Sequence, residues 1–249
     1  DRLRLTVTGS RATPYLAEIS AHFYAARPPQ LEAVRTVDGM VTLSPARENF
    51  SWKSHGLNAA SNLSAGMKIY YTTDGSRPTT QSKLYTSPFR LDHGTVNAMA
   101  VTHGENGPVM NARFGYVKKD WTLTADSETE GHTLRMVADA NPRTYWKSSE
   151  RKKSALIVDM GENKRVNGFI YTPQTENADG MISEMQVMVS NNGGKWRIVG
   201  NYEFGNLVND PSPREQKFDK GVDARYVQFV PIRTADDSPC VTIAEIDIF

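Results

Sequence analysis

The sequence of 249 residues lacks a second cysteine, a long hydrophobic run and an excess of charge of either sign. With Cys240 as its one cysteine, the chain can form neither an internal disulfide nor a cysteine-based zinc site. No run of about 18 apolar residues occurs, so the sequence predicts no transmembrane helix. The chain has 29 Lys and Arg residues and 28 Asp and Glu residues. This balance argues against a nucleic-acid binder, whose affinity depends on a strong positive field.

Recognisable catalytic motifs are also missing. The five histidines are scattered, without the HExxH spacing of a zinc enzyme. There is no phosphate-binding loop, dinucleotide fingerprint or G-x-S-x-G elbow. Carboxylates are too numerous for the acid and base of a glycosidase to be paired from sequence. We therefore expect this chain not to be an enzyme.

The sequence does contain segments in which apolar and polar residues alternate. This two-residue period is typical of half-buried β-strands. Leu3, Leu5 and Val7 begin this pattern. The one helical candidate is short, at 132–138. Many short strands between turns predict an all-β chain built of sandwiches. Further strand-like segments are 68–73, 95–102, 155–160, 168–172, 185–189 and 226–231.

Two composition changes and one internal repeat divide the chain. Pro28-Pro29 reads as a stiff linker, and the charged Lys118-Lys119-Asp120 separates two strand-rich blocks. These predict regions 1–30, 31–118 and 119–249.

The repeat relates residues 2–23 to 225–249, with Ala17-Glu18-Ile19 matching Ala244-Glu245-Ile246. We expect the first region to hold the last two strands of an upstream sandwich, although a chance match of three residues stays open.

Several motifs carry a family resemblance. In chain order, the motifs are ADANPRTYW at 138–146, IVDMGENKRVNGFIYTP at 157–173, VMVSNNGGKW at 187–196, ARYVQFVPI and the closing IAEIDIF. In this order they resemble the discoidin, or coagulation-factor 5/8 type C, domain and its bacterial family 32 carbohydrate-binding modules. Residues 36–118 resemble the immunoglobulin-like domain found C-terminal in chitobiases and β-hexosaminidases, through IYYTTDGSRPTTQSKLYTSPFRL at 69–91 and VNAMAV.

The order of regions resembles the non-catalytic C-terminal part of bacterial α-L-fucosidases. This resemblance implies an immunoglobulin-like sandwich followed by a discoidin-like sandwich. It also implies carbohydrate binding or substrate targeting, with a galactose- or fucose-containing glycan and an upstream catalytic domain as partners. A β-N-acetylhexosaminidase is the alternative parent, and a spacer or protein-interaction module without sugar binding is the alternative function. The implied location is periplasmic, cell-surface or secreted.

The loop 138–144 predicts a structural calcium site. Asp139, Asn141 and Thr144 offer the oxygen ligands that calcium prefers. In the resembled family this loop binds calcium, and the acidic residue of the last strand, here Glu245, completes the site. The sequence departs at Ala140, where the family usually has glycine, so a positive φ there would be strained. The alternative is a turn in which Asp139 caps backbone amides.

The sugar site implied by the resemblance lies on loops 147–154, 174–181 and 234–239. Family members often have His and Arg where this chain has Lys147 and Gln174, and we add Glu176 and Asn177 as candidates. No Trp, Tyr or Phe lies in these loops to stack on a sugar ring. A solvated polar rim without sugar is therefore the alternative.

Other aromatic residues are predicted to serve packing. Tyr145 and Trp146 read as core anchors, and Tyr70, Tyr71 and Tyr85 as cross-strand contacts beside a turn at Asp74-Gly75.

Overall fold

The computed structural model describes residues 4–9, 13, 15, 16, 18, 27–46, 66–149 and 155–249. These residues form a nearly all-β structure with one 3₁₀ helix, at Leu134–Ala138. None of their helices is long and apolar enough to span a bilayer. The strands are β1 (Leu31–Arg35), β2 (Met40–Pro45), β3 (Lys68–Thr72), β4 (Lys83–Leu84), β5 (Phe89–Arg90), β6 (Gly94–Thr102), β7 (Glu105–Phe114), β8 (Thr122–Thr124), β9 (Trp146–Lys147), β10 (Leu156–Thr172), β11 (Ile182–Ser190), β12 (Arg197–Glu203), β13 (Arg214–Thr234), β14 (Thr242–Ile243) and β15 (Glu245–Ile248).

The strands of the first half form two sheets and those of the second half form two more. One sheet has the order β1-β2-β5, and another has the order β4-β3-β6-β7. In the second half a six-stranded sheet runs β12-β11-β13-β10-β15, with β8 also paired to β10, while β9 pairs with β14. The predicted all-β class is confirmed.

Most strands lie where the alternation places them, but two are longer than predicted. The segments 155–160 and 168–172 belong to the single 17-residue strand β10. The segment 226–231 is part of the 21-residue strand β13. β10 and β13 pair along their length with two register shifts. Such bulges let pairing continue through residues that a sequence pattern reads as turns.

The leading strand predicted around Leu5 and Val7 is wrong for the residues that the structure describes. Residues 4–9 have no strand pairing, and the two side chains are 58% and 57% exposed. No described sheet covers their apolar face, and two strands without such cover are marginally stable in water. Most of the second predicted strand of 2–23 lies outside the described residues.

Each half has its own hydrophobic core. The first joins residues of β1, β2, β3, β6 and β7, and the second joins residues from Trp121 to Ile248. Trp146 is fully buried and Tyr145 is 8% exposed, which confirms both as core anchors. Tyr71 stacks on Phe89 with ring centroids 4.3 Å apart, so its predicted packing role is also confirmed.

The segment after β7 is held against both halves. The Arg35 guanidinium, on β1, donates to the carbonyl oxygens of Gly115 at 2.6 Å and Tyr116 at 3.3 Å. The Tyr116 N–H donates to the Ile248 oxygen at 2.7 Å. A Cβ on Gly115 would lie 2.5 Å from that oxygen, so glycine permits the close approach. We call residues 115–118 the junction.

Candidate functional site

Strand pairing brings the predicted sugar loops to one end of the six-stranded sheet. β11 pairs antiparallel with β13 so that Ile182 lies opposite Thr234, and the loop that leads into β11 therefore meets the loop after β13. The Gly180 N–H of the first loop donates to Asp236 of the second at 3.2 Å. β9 pairs with β14 and places Lys147 beside them. We call this end the rim.

Lys147 is held at the rim by an ion pair. Its Nζ lies 2.7 Å from Asp179 Oδ2, and the Ser238 hydroxyl donates to Asp179 Oδ1 at 2.7 Å. The hydrogen bond from Lys147, followed by the one from Ser238, lowers the pKa of Asp179. The sequence does not single out Asp179, because its two partners lie 32 and 59 residues away.

Gln174 is 1% exposed and is unavailable for direct contact with a sugar. Its Nε2 donates to the main-chain and side-chain oxygens of Asn177 at 2.5 and 2.7 Å. Its Oε1 accepts from the N–H groups of Glu176 and Asn177 at 2.7 and 3.0 Å. The prediction of Gln174 as a sugar contact is therefore corrected: its side chain shapes the loop, because nearby backbone groups use its amide.

Glu176 and Asn177 are exposed at the rim. Glu176 Oε2 accepts a hydrogen bond from the Tyr145 hydroxyl at 2.8 Å. Burial, assisted by this bond, raises the pKa of Tyr145 to about 12. The Tyr145 ring stacks on His132 at 4.1 Å. The Tyr145 ring, which contacts Glu176 through its hydroxyl, is thus already covered.

The predicted cation residues come together where the loop 138–144 meets Glu245, the first residue of β15. The Asn141 N–H lies 2.9 Å from Asp139 Oδ1 and 2.9 Å from Glu245 Oε1. The Thr144 hydroxyl lies 2.8 Å from Asp139 Oδ2 and 2.8 Å from the Asn141 carbonyl oxygen. Ala140 has a φ of 60°, the left-handed value that the sequence marks as strained. Carboxylate, hydroxyl and carbonyl oxygens therefore converge on one loop.

A buried lysine completes this cluster, and the sequence gives no sign of it. Lys118 Nζ pairs with Glu245 Oε2 and lies 3.2 Å from Asp247 Oδ2. Both side chains of the first pair are less than a tenth exposed. Burial raises the pKa of Glu245 to about 7, although Lys118 opposes this shift. The two carboxylates raise the pKa of Lys118, although burial opposes that.

An added cation could take only one oxygen of Glu245, because Lys118 pairs with the other. Asp139 and Glu245 share the Asn141 N–H as a donor, and Lys118 already supplies a positive charge beside Glu245. The described residues contain no group of three His, Cys, Asp or Glu side chains suited to a metal. Hydroxyl and main-chain oxygens would have to supply the remaining ligands.

Two family models match the sequence. The F5/8 type C domain matches residues 122–246, and the chitobiase/beta-hexosaminidase C-terminal domain matches residues 57–111. A galactose oxidase of Gibberella zeae is 27% identical over 182 residues, which are 64% of this chain and 26% of that protein. Another, also of Gibberella zeae, is 27% identical over 139 residues, or 53% of this chain and 20% of that protein. The chain spans about a quarter of the length of these relatives or less.

The chain is also similar to several solved structures. A family 32 carbohydrate-binding module of Clostridium perfringens in complex with galactose is 23% identical, with a TM-score of 0.46, and the match covers 51% of this chain and 92% of that one. A second module of that organism, in complex with GalNAc-β-1,3-galactose, is 20% identical with a TM-score of 0.47, covering 52% and 94%. The C-terminal domain of a Bacteroides fragilis chitobiase is 20% identical with a TM-score of 0.46, covering 53% and 94%.

Proposed function

Because the chain belongs to the F5/8 type C domain family, we propose that it is a non-catalytic, carbohydrate-binding accessory region of a glycoside hydrolase. The observation that carries this proposal is the match of that family over residues 122–246, beside a match to the chitobiase-type domain. The polar rim, built on loops of a rigid sheet, supports it, because loops on a scaffold are a common place for binding groups.

The domain boundaries, the parent enzyme and the location are part of the same proposal. We divide the chain at 1–30, 31–118 and 119–249 and assign it to an α-L-fucosidase, with a β-N-acetylhexosaminidase as the alternative parent. The order of the sequence motifs supports this assignment. An upstream catalytic domain and a periplasmic, cell-surface or secreted location follow from it.

Galactose is the first sugar to test, since both curated relatives are galactose oxidases. Lys147, Glu176 and Asn177 would bond its hydroxyls, with Gln174 holding the loop. The alternative, a spacer or protein-interaction module without sugar binding, is favoured by one observation. The rim side chains bond chiefly to one another, as Lys147 does with Asp179.

The test is a glycan array of the full chain, with and without chelator, followed by calorimetric titration with galactose. Lys147→Met should weaken galactose binding by about fivefold, the equivalent of about 1 kcal/mol for one lost hydrogen bond. The matched control is Lys195→Met, at an exposed loop residue beyond β11. If no glycan is retained on the array, the module without sugar binding is the correct function.

We also propose that Asp139, Thr144, Glu245 and the main chain around Asn141 hold a structural calcium ion. Such an ion would neutralise the adjacent carboxylates and tie the loop to β15. Glu245→Ala is a poor test, because it would also leave Lys118 without a partner. Asp139→Asn keeps the shape of the side chain and removes one charge.

In calcium at about a hundredfold above Kd, the wild type should gain about 2.7 kcal/mol of stability relative to chelator. Asp139→Asn should lose most of this gain, whereas the exposed control Asp219→Asn should keep it. Thermal unfolding with calcium and with chelator measures this gain for the wild type and for each variant. Equal stability of the wild type in the two conditions would assign the loop to an internal turn.

A further inference from the structure

A cleft of about 360 Å³ lies between the two halves of the chain. Residues of β1 and β7 line it from the first half, and residues of β10 and β15 line it from the second. The volume is at the lower end of the range for small-molecule sites, about 300–1,000 Å³, and such sites are frequent at domain interfaces. The cleft therefore has room for a molecule with a single small ring.

Two cross-strand pairs form the side of the cleft that belongs to the second half. Ile170 lies opposite Asp247, and Thr172 lies opposite Glu245. All four residues line the cleft, whereas the alternate residue Ile246 belongs to the second core. Thr172 and Asp247 are therefore diagonal neighbours on one face of the sheet, a relation that places residues about 7–8 Å apart.

The Thr172 hydroxyl has no hydrogen-bond partner among the described residues, although the residue is only 8% exposed. Its main chain is paired, because the carbonyl oxygen accepts from the Ala244 N–H at 3.0 Å. In the described chain, the side-chain atoms that are both inaccessible and unpartnered belong to Thr102, Trp121 and Ser183. The Thr172 hydroxyl is not one of them, so it keeps some accessible surface. Since Thr172 lines the cleft, a ligand there can reach this hydroxyl.

Asp247 supplies a hydrogen-bond acceptor in the same cleft. Its Oδ2 lies 3.2 Å from Lys118 Nζ, whereas its Oδ1 lies 3.9 Å from Arg35 NH2, beyond hydrogen-bond distance. The Asp247 side chain is 22% exposed. Its Oδ1 can therefore accept a hydrogen bond from a ligand while Oδ2 keeps its ion pair with Lys118.

The charged groups that line the cleft are balanced by partners within the described chain. Lys118 pairs with the two carboxylates of β15, and Arg113 Nε lies 3.3 Å from Glu215 Oε1. The Arg35 guanidinium donates to carbonyl oxygens of the junction. No cation or anion of this lining lacks a counter-charge, which favours a neutral ligand over an ion.

The rest of the lining is mainly apolar. An apolar wall removes water from a polar group without replacing its hydrogen bonds, which is costly. A sugar carries several hydroxyls and fits such a cleft less well than an apolar molecule with one hydroxyl. The apolar lining includes Val34, Val37, Phe114, Pro142, Ile170 and Pro213.

We propose that the cleft binds a small neutral molecule with an apolar ring and one hydroxyl group, of the phenol or cyclic-alcohol class. The ligand hydroxyl donates to Asp247 Oδ1 and accepts from the Thr172 hydroxyl. The ring packs against the apolar side chains of both halves, including Val34 and Ile170. The cleft shares no residue with the rim, so this inference does not depend on the proposed carbohydrate-binding function.

The test is titration of the full chain with phenol and with toluene, which have the same shape but differ in the hydroxyl, followed by ligand-observed NMR. Phenol should bind about fivefold tighter than toluene, the gain expected of one hydrogen bond. Thr172→Val keeps the shape of the side chain and should remove most of this preference. Thr124→Val, the same change at an exposed position of β8, is the matched control and should keep it.

A second variant tests the apolar wall. Val34→Asn places an amide at a position that is 54% exposed, so the chain should still fold. It should weaken the binding of phenol and of toluene alike, because both lose an apolar contact. Thr172→Val should melt at the same temperature as the wild type or higher, since it deletes a hydroxyl that has no partner among the described residues.

Several outcomes would overturn the proposal. These are absence of phenol binding, equal affinity of the wild type for phenol and toluene, and a phenol preference that survives Thr172→Val. A cleft covered by a second copy of the chain would appear in sedimentation as a dimer that binds phenol only on dilution, and this too would overturn it. A glycan array that retains no sugar would overturn the proposed function and leave the cleft intact.

Discussion

Replacement of Lys118 by methionine would remove the buried cation that two carboxylates share. The ammonium pairs with Glu245 and lies 3.2 Å from Asp247, whose side chains are 7% and 22% exposed. Methionine keeps most of the apolar stem in place, so the change is chiefly one of charge. Glu245 would be left buried without its counter-ion, and Asp247 would keep partial access to water.

We expect a loss of about 3 kcal/mol in the free energy of unfolding. Breaking a buried ion pair by removing one partner costs about 3–5 kcal/mol, and the solvent access of Asp247 places this case at the lower end. For a chain of this size about 1 kcal/mol corresponds to about 2–4 °C, so the melting temperature should fall by about 6–12 °C.

The assay is thermal and urea unfolding in chelator at pH 8.5. Burial raises the pKa of Glu245 to about 7. Lys118 lowers this pKa, so the pKa of Glu245 rises further in Lys118→Met. The loss should shrink as the pH falls through that higher pKa, because the protonated carboxyl needs no counter-ion. Lys119→Met, at the exposed neighbouring position, is the control and should change stability by less than about 0.5 kcal/mol. Adding Glu245→Gln to Lys118→Met should restore part of the loss. If Lys118→Met matched the control, the ion pair would have no role in stability.

Three further predictions concern the junction, the rim and catalysis. Gly115→Ala should cost about 1–3 kcal/mol in unfolding experiments, because its Cβ would lie 2.5 Å from the Ile248 oxygen; a melting temperature equal to that of the wild type would contradict the close contact. Asp179→Asn should lower stability near neutral pH. The difference should begin to shrink as the pH falls below about 4 and should vanish once the pH is below the lowered pKa of Asp179, because acid then removes its stabilising charge. A difference that persists in stronger acid would exclude the ion pair as its cause. The purified chain should hydrolyse no fucosyl or N-acetylhexosaminyl substrate, and turnover above a buffer blank that one carboxylate variant abolishes would refute this.

Local patterns predicted the parts of the fold that depend on neighbouring residues. Alternation located β11, and runs of strand-like residues between turns located β3 and β6, although β6 is buried at seven consecutive positions. Burial of Trp146 followed from its place in a motif. The motif also placed the positive φ at Ala140, where the family has glycine. In each case the deciding interactions lie within one short segment.

Interactions between distant segments could not be predicted in this way. Lys118 is separated from Glu245 and Asp247 by 127 and 129 residues, and Arg35 from Gly115 by 80. No spacing rule joins residues so far apart before the sheet order is known. Gln174 shows a second limit: its position in a polar loop predicts exposure, whereas its amide turns inward to bond backbone groups two and three residues ahead.

The last strand, β15, has a consequence for how the chain tolerates mutation. Ile246 and Ile248 belong to the second core, while Glu245 and Asp247 hold Lys118. Each position in this four-residue strand therefore has either a core contact or an ion pair that a substitution would disturb. Pairs of substitutions here should combine non-additively, because Glu245 and Asp247 share Lys118 and Ile246 and Ile248 share one core. A library randomised over these four positions should retain far fewer folded members than one randomised over four exposed positions of β12.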